Sequence, residues 1–305
     1  MRRARGIPRR EFLRAAGIGG AGLLLASALP GCDSREDVDE LRWLNWQDYI
    51  DPETIPLFEG ETGISVVYET YESNDELEQK LIQASRPRRG GRTPSSYDLM
   101  VPSDNFVNRF RRLDLIQELD HSSLTGLDNL RADLRNASFD PDNRYSVPWA
   151  TGTTGIGYDT SEFPEPPNYD VFLNTEYADR MTILNEVRDA FGLALLSIGR
   201  DPNTRSQQDI NEATTQLIQM REVIRGFDSS NYLDDLVEGR LVVAQAYSSD
   251  VVQAKRLNPS LEFTIPESGG LRWVDALAIP ADAAHEENAL QFISAFLTPE
   301  TSARV

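Results

Sequence analysis

From Leu41 onward the sequence alternates short apolar runs with longer segments that carry helix start and stop signals. Leu41 to Trp46 reads as a strand. Asp51-Pro52-Glu53 then sets an acid, a proline and a second acid at a helix start. Gly63 is a stop signal before the next run, Ile64 to Thr70, and Ser73-Asn74-Asp75-Glu76 is a capping box that opens another helix. Arg86 to Ser96 is rich in Pro, Gly and Arg and predicts a loop, followed by a short buried strand over Tyr97 to Val101. Met181 to Leu184 reads as a strand. Asn185 to Ile198 reads as a helix with Val187, Ala190, Phe191, Ala194, Leu195 and Ile198 on one face and Gly199 after it. Helices are also predicted over Gln207 to Arg225 and Glu286 to Leu297, and strands over Leu241 to Tyr247 and Trp273 to Ile279. No internal repeat breaks this rhythm. Alternation of this kind restricts the chain to the α/β class, with largely parallel sheets buried on both faces.

The first 32 residues are of another kind. Arg9-Arg10-Glu11-Phe12-Leu13-Arg14 is a twin-arginine core, Ala15 to Leu29 is apolar, and Leu29-Pro30-Gly31-Cys32 is a lipobox. The apolar run is shorter than the roughly 20 residues a spanning helix needs, so the segment reads as an export signal. Cys32 is the expected lipidation site, and the mature chain is expected to hang by acyl chains on the extracytoplasmic face of the membrane. Residues 33–40 are polar and charged and read as a tether. Gly17-Ile18-Gly19-Gly20-Ala21-Gly22 matches a dinucleotide-binding pattern, but it lies inside the signal with no strand before it and carries no cofactor meaning.

Composition narrows the chemistry. Cys32 is the single cysteine, which excludes internal disulfides and thiolate metal sites. The two histidines, His121 and His285, stand apart in sequence, so neither imidazole catalysis nor zinc binding is expected, and no cofactor is called for. The net charge is −19, and the signal holds six arginines against one acid, so the exported part is more acidic still. Such a surface repels nucleic acid and attracts cations. Asp140-Pro141-Asp142-Asn143 looks like a cation loop but lacks the glycine and distal glutamate of a calcium site, and reads as a turn.

Open α/β sheets bind ligands beyond the carboxyl ends of their strands. Aromatics and acids gather there: Trp46 and Tyr49 after the first strand, Ser103, Asp104 and Asn105 after Val101, Glu186 and Asp189 after Leu184, Tyr247, and the pair Trp273 and Asp275. Glu186 and Asp189 share a face of a first helical turn, where the helix dipole favours the ionised form. On that argument they suit an ammonium ligand better than a general acid's role. Ring faces attract cations by roughly 0.5–2 kcal/mol and also cover methylene spacers. The pattern describes a site for an organic polycation.

These residues resemble the spermidine/putrescine-binding proteins of ABC transporters, over almost the whole chain from Leu41. The resemblance is carried by Asn45-Trp46-Gln47-Asp48-Tyr49, by Thr62-Gly63-Ile64 to Tyr71-Glu72-Ser73-Asn74, and by Tyr97-Asp98-Leu99-Met100-Val101-Pro102-Ser103. Phe139-Asp140-Pro141, Gly269-Gly270-Leu271-Arg272-Trp273-Val274-Asp275 and Leu277-Ala278-Ile279-Pro280 complete it. It implies a two-lobed type II periplasmic-binding fold with the ligand in the cleft. Lobe one is then expected over 41–151 plus 274–305 and lobe two over 152–273. It also implies ligand contacts from Trp46, Gln47, Tyr49, Ser103, Asn105, Glu186, Asp189, Tyr247, Trp273 and Asp275. Gln47 stands where a small hydroxyl residue occurs in the spermidine binder, Asn105 where a tyrosine does, and Tyr247 where a tryptophan is usual. The family runs on past Pro299-Glu300-Thr301 with further helical segments that carry another aromatic and a polar contact, so a C-terminal family segment is expected to be missing here.

The expected function is capture of a polyamine, spermidine ahead of putrescine, by a monomer that hands it to a membrane permease and ATPase. Two other readings stand beside it. One keeps the fold and changes the cargo to another small amine or cation. The other is a tethered hydrolase using Glu186 and a second acid, which needs one carboxyl with a raised pKa. A sensor that presents the bound amine to a receptor is a further possibility.

Overall fold

The computed structural model describes residues 39–47, 49–84 and 96–303. The signal with Cys32, most of the 86–96 loop and Asp48 lie outside the described residues. The strands are β1 (Glu40–Trp46), β2 (Ser65–Tyr71), β3 (Leu99–Met100), β4 (Ser146–Asp159), β5 (Met181–Ile183), β6 (Gly226–Phe227), β7 (Val243–Tyr247), β8 (Leu261–Thr264) and β9 (Leu271–Ala278). The α-helices are α1 (Thr54–Thr62), α2 (Asn74–Ala84), α3 (Asp104–Arg112), α4 (Val187–Ser197), α5 (Gln207–Arg221), α6 (Tyr232–Val237), α7 (Ser248–Leu257), α8 (Glu286–Phe296) and α9 (Pro299–Ser302). β1 opens at Glu40, inside the stretch read as a tether.

Local signals act much as their chemistry dictates. The Ser73 hydroxyl accepts the Glu76 N–H at 3.2 Å, and the Glu76 carboxylate reaches back to the Glu72 N–H at 2.9 Å, which closes the capping box of α2. Gly63 ends α1 at φ 77°, a left-handed conformation that costs a residue without Cβ little. Asp51 acts one turn early: its carboxylate takes the Glu53 N–H at 3.0 Å, and Glu53 is the residue that precedes α1.

The strands form one sheet in the order β2-β1-β3-β9-β4-β7-β5-β6, with β8 added on β4. β1 pairs parallel with β2 and β3, and β5 pairs parallel with β6 and β7. β4 and β9 are antiparallel to their neighbours and to each other, so the sheet is mixed where the sequence predicted a largely parallel one. The correction lies in β4, a 14-residue strand whose middle is small and polar and breaks the apolar pattern.

Each end of that strand belongs to a different core. Val147 and Trp149 pack with Trp43, Phe292 and Phe296, and the Trp149 and Phe296 rings stack at 4.1 Å. Ile156 and Tyr158 pack instead with Phe172, Ile183 and Leu193. β9 makes the same change, from Leu271 against the second core to Leu277 in the first. Between them β4 is half-buried over 150–153, and there it pairs with β9 through Thr151 opposite Val274 and Gly152 opposite Trp273.

Candidate functional site

Asp275 is the centre of the site. It lies on β9 beside the point where the two cores divide and is only 7 % exposed. Ser103 faces it through an isolated antiparallel bridge, and the Ala276 N–H donates to the Pro102 carbonyl at 3.0 Å. Two hydroxyls hold the carboxylate: Ser103 Oγ donates to Oδ1 at 2.6 Å and Tyr49 O–H to Oδ2 at 2.7 Å. Ser103 is itself gripped by Asn74, whose side chain donates to the Ser103 hydroxyl at 3.0 Å and accepts the Ser103 N–H at 3.1 Å. Burial pushes Asp275 up to about 6 even though both hydroxyls hold it down.

Glu186 and Asp189 approach the same region from the start of α4. Glu186 is the residue before the helix, half-buried, and its side chain makes no capping bond. Burial lifts Glu186 to about 7, and the charges of Asp189, Asp75 and Asp275 add to the shift. Burial likewise lifts Asp189 to about 6, against the Thr154 hydroxyl, which donates to it at 2.8 Å, and the Tyr247 hydroxyl. Gln245 fixes this turn from β7 by donating to the Asp189 carbonyl at 2.8 Å. The sequence argument from the helix dipole is overturned here. A dipole is worth about 0.3–1 kcal/mol at a helix end, and loss of water together with three like charges outweighs it.

The candidate aromatics fall into two groups. The Trp46 indole donates to the Val101 carbonyl at 2.9 Å, and its ring packs on Tyr71 at 4.7 Å. Tyr247 and Trp273 meet edge to face at 6.0 Å and 84°. Trp273 lies directly on Gly152, where a Cβ would stand 2.3 Å from the indole, so only glycine permits this ring position. Burial and the neighbouring Asp189 and Glu186 keep the Tyr247 hydroxyl well above its ordinary value, and the same effects, led by burial and Asp275, act on Tyr49.

Tyr49 and Ser103 therefore meet on Asp275, Tyr247 stands by Asp189 and Trp273 packs on Tyr247, while Glu186 is tied to these residues through its charge and Trp46 packs with Tyr71 and the first core. Gln47 and Asn105 do not join them by any hydrogen bond among the described residues: Gln47 is exposed after β1 and Asn105 is half-buried in the first turn of α3. Three supporting residues went unread in the sequence, Asn74, Thr154 and Gln245. Each is a buried polar residue within an element, which is the signal that marks such partners once a fold is known. The histidines are engaged elsewhere: the His285 ring lies 3.1 Å from Asp98, and the His121 ring 2.8 Å from the Asn143 carbonyl. No group of three or more metal-ligating side chains occurs among the described residues.

Comparison with known proteins agrees with this architecture. The family model for bacterial extracellular solute-binding proteins matches residues 54–305. The spermidine/putrescine-binding periplasmic protein of Salmonella typhimurium is 33% identical over 298 residues, 97% of this chain and 81% of that protein. A putrescine-binding periplasmic protein of Escherichia coli is 34% identical over 282 residues, 86% of this chain and 74% of that one. Among solved structures, the spermidine/putrescine ABC transporter substrate-binding protein of Streptococcus pneumoniae superposes with a TM-score of 0.72 at 30% identity, covering 87% of this chain and 79% of that one. The TpPotD lipoprotein of Treponema pallidum gives 0.78 at 29% identity, covering 87% and 82%. With a mixed sheet shared by two cores and a site of acids and aromatics where those cores divide, the chain belongs to the bacterial extracellular solute-binding proteins and has their two-lobed type II periplasmic-binding fold.

Proposed function

We propose that this protein captures a polyamine, spermidine in preference to putrescine, and delivers it to an ABC permease and its ATPase. The observation that carries the reading is Asp275, a buried carboxylate held by two hydroxyls, with the charges of Glu186 and Asp189 acting in the same region. Asp275 binds one ammonium group, and Glu186 and Asp189 bind another and leave acceptor capacity for a third, which favours a triamine. Trp46, Tyr49, Tyr247 and Trp273 cover the methylene chain between them. The relatives' names include both spermidine/putrescine and putrescine, which supports the ligand class.

In this reading lobe one comprises residues 41–151 and 274–305 and lobe two residues 152–273. The division of the cores along β4 and β9 supports that boundary. Cys32 carries the lipid anchor, and the protein acts as a monomer outside the cytoplasmic membrane. No helix among the described residues is long and apolar enough to cross a membrane.

A hydrolase reading gains nothing from the raised carboxyls. A glycosidase pair needs one protonated and one ionised carboxyl, whereas burial raises Glu186, Asp189 and Asp275 together. Isothermal titration with spermidine and putrescine tests the proposal. Saturable binding that is lost in Asp275→Asn supports it, and a folded protein that binds neither amine refutes it.

A further inference from the structure

The hydroxyl that holds Asp275 is in an unusual post. Ser103 precedes α3 in an extended conformation, φ −72° and ψ 158°, where a serine hydroxyl ordinarily accepts an N–H of the first helical turn. Here it makes no capping bond and donates to Asp275 Oδ1 at 2.6 Å instead. The backbone before it is fixed on two sides. The Trp46 indole and the Tyr71 hydroxyl donate to the Val101 carbonyl, and the Ala276 N–H donates to the Pro102 carbonyl. Those bonds leave the Ser103 hydroxyl free to rotate. Asn74, 5 % exposed in the first turn of α2, is the residue that reaches it. Ser73 and Glu76 already cap that helix, so the Asn74 amide has no capping duty of its own.

The orientation of that amide follows from its partners. The Ser103 N–H can only donate, and it lies 3.1 Å from one end of the Asn74 amide, which is therefore the oxygen. The other end is the NH2 group, 3.0 Å from Ser103 Oγ. A hydroxyl carries one proton. With an Asn74 N–H pointing at its oxygen, that proton is turned away from Asn74 and onto Asp275. We propose that Asn74 is a positioning residue for the cargo site: it acts through Ser103, directing the serine proton onto Asp275 and so keeping that carboxylate ionised and aimed for an ammonium group. This rests on the amine reading above and extends it to a residue of α2. Tyr49 holds the other carboxylate oxygen at 2.7 Å independently of Asn74. Without Asn74 the Ser103 hydroxyl is free to cap α3, as serine ordinarily does there, and Asp275 loses a donor.

The test is a carbon NMR titration of the Asp275 carboxyl in the ligand-free protein, joined to calorimetry with spermidine. Burial puts Asp275 at about 6 while the two hydroxyls hold it down, and the Asp104 and Asp189 charges that also act on it are unaltered by the variants used. Loss of a donor to the ionised form raises the titration. Asp275 must therefore titrate at a higher pH in Asn74→Ala than in the wild type, and Asn74→Ala must add nothing once Ser103→Ala is in place. Spermidine affinity follows the same logic. It falls about tenfold in Asn74→Ala, and by less than about twofold when that change is added to Ser103→Ala. A residue that merely braced the fold would cost the same in both backgrounds. Asn74→Asp serves if Asn74→Ala fails to fold, since it keeps the acceptor for the Ser103 N–H and suits a helix start. Its added charge acts with or without the Ser103 hydroxyl, so it must raise the Asp275 titration more with Ser103 present than in Ser103→Ala. Equal shifts in the two backgrounds, or an unmoved Asp275 titration, overturn the inference. A shift confined to the Ser103 background with no spermidine binding by the wild type upholds the positioning of Asp275 and overturns the amine reading alone.

Discussion

The two acidic ends of the cleft are built differently. Asp275 sits on a strand, 7 % exposed, with one hydroxyl donor on each oxygen and with Asn74 behind Ser103. Glu186 sits just ahead of a helix, half-buried, with no donor on its carboxylate among the described residues and with the charges of Asp189, Asp75 and Asp275 acting on it. In the proposed function the first end is organised before a ligand arrives and the second would be completed by it. In a preorganised site little ordering free energy is lost on binding, so the Asp275 end would set affinity. An unsupported carboxylate can follow an ammonium group at variable distance, so the Glu186 end would adjust to chain length.

The substitution that breaks this contrast hardest is Asp275→Asn, which leaves Tyr49 and Ser103 without their charged acceptor and the ligand without its counter-ion. We expect a loss of about 2–5 kcal/mol in spermidine affinity by calorimetry. Ser103→Ala removes one charge-assisted hydrogen bond and releases Asn74, and should cost about 1.5–3 kcal/mol in the same measurement. Gly152→Ala sharpens the comparison from the aromatic side. Its Cβ collides with the Trp273 indole, so stability falls by about 1–3 kcal/mol in denaturant titration and the tryptophan emission shifts. Glu186→Gln has the smallest effect, about 0.5–1.5 kcal/mol in affinity at pH 7.

Glu186 also leaves a mark on stability. Its folded-state pKa is raised to about 7, above the ordinary glutamate value of 4.5, so the folded protein binds more protons than the unfolded chain between those values. Its contribution therefore favours the fold at the acid end of that window and is lost as pH rises through about 7. The melting temperature of the ligand-free protein should fall from pH 5 to pH 8, and by less in Glu186→Gln.

The same contrast runs through what the sequence disclosed. Features written in neighbouring residues were legible: the capping box at Ser73, the stop at Gly63 and the amphipathic run of α4. Even there Val187, expected on the apolar face, is 71 % exposed at the start of its helix, while Ala190, Ala194 and Leu195 of that face are buried and burial extends round to Leu193 and Leu196. The strand-end rule could name Glu186, Asp189 and Asp275 as candidates before any coordinates, since it depends only on element order. β4 was not legible, because its middle, Ala150-Thr151-Gly152-Thr153, carries no apolar alternation and is ordered by pairing with β9, more than a hundred residues away. The ionisation of Glu186 was misread for a related reason. A helix dipole can be seen in a short stretch of sequence, but burial and the charges of Asp75 and Asp275 arrive only with the tertiary fold.

The most direct test of this account is a crystal structure of the protein grown with spermidine. The account predicts one ammonium nitrogen within hydrogen-bond distance of the Asp275 carboxylate, another between Glu186 and Asp189, and the methylene chain against Trp273 and Tyr247. A spermidine bound away from Asp275, or one that leaves Glu186 and Asp189 without an ammonium contact, would contradict it.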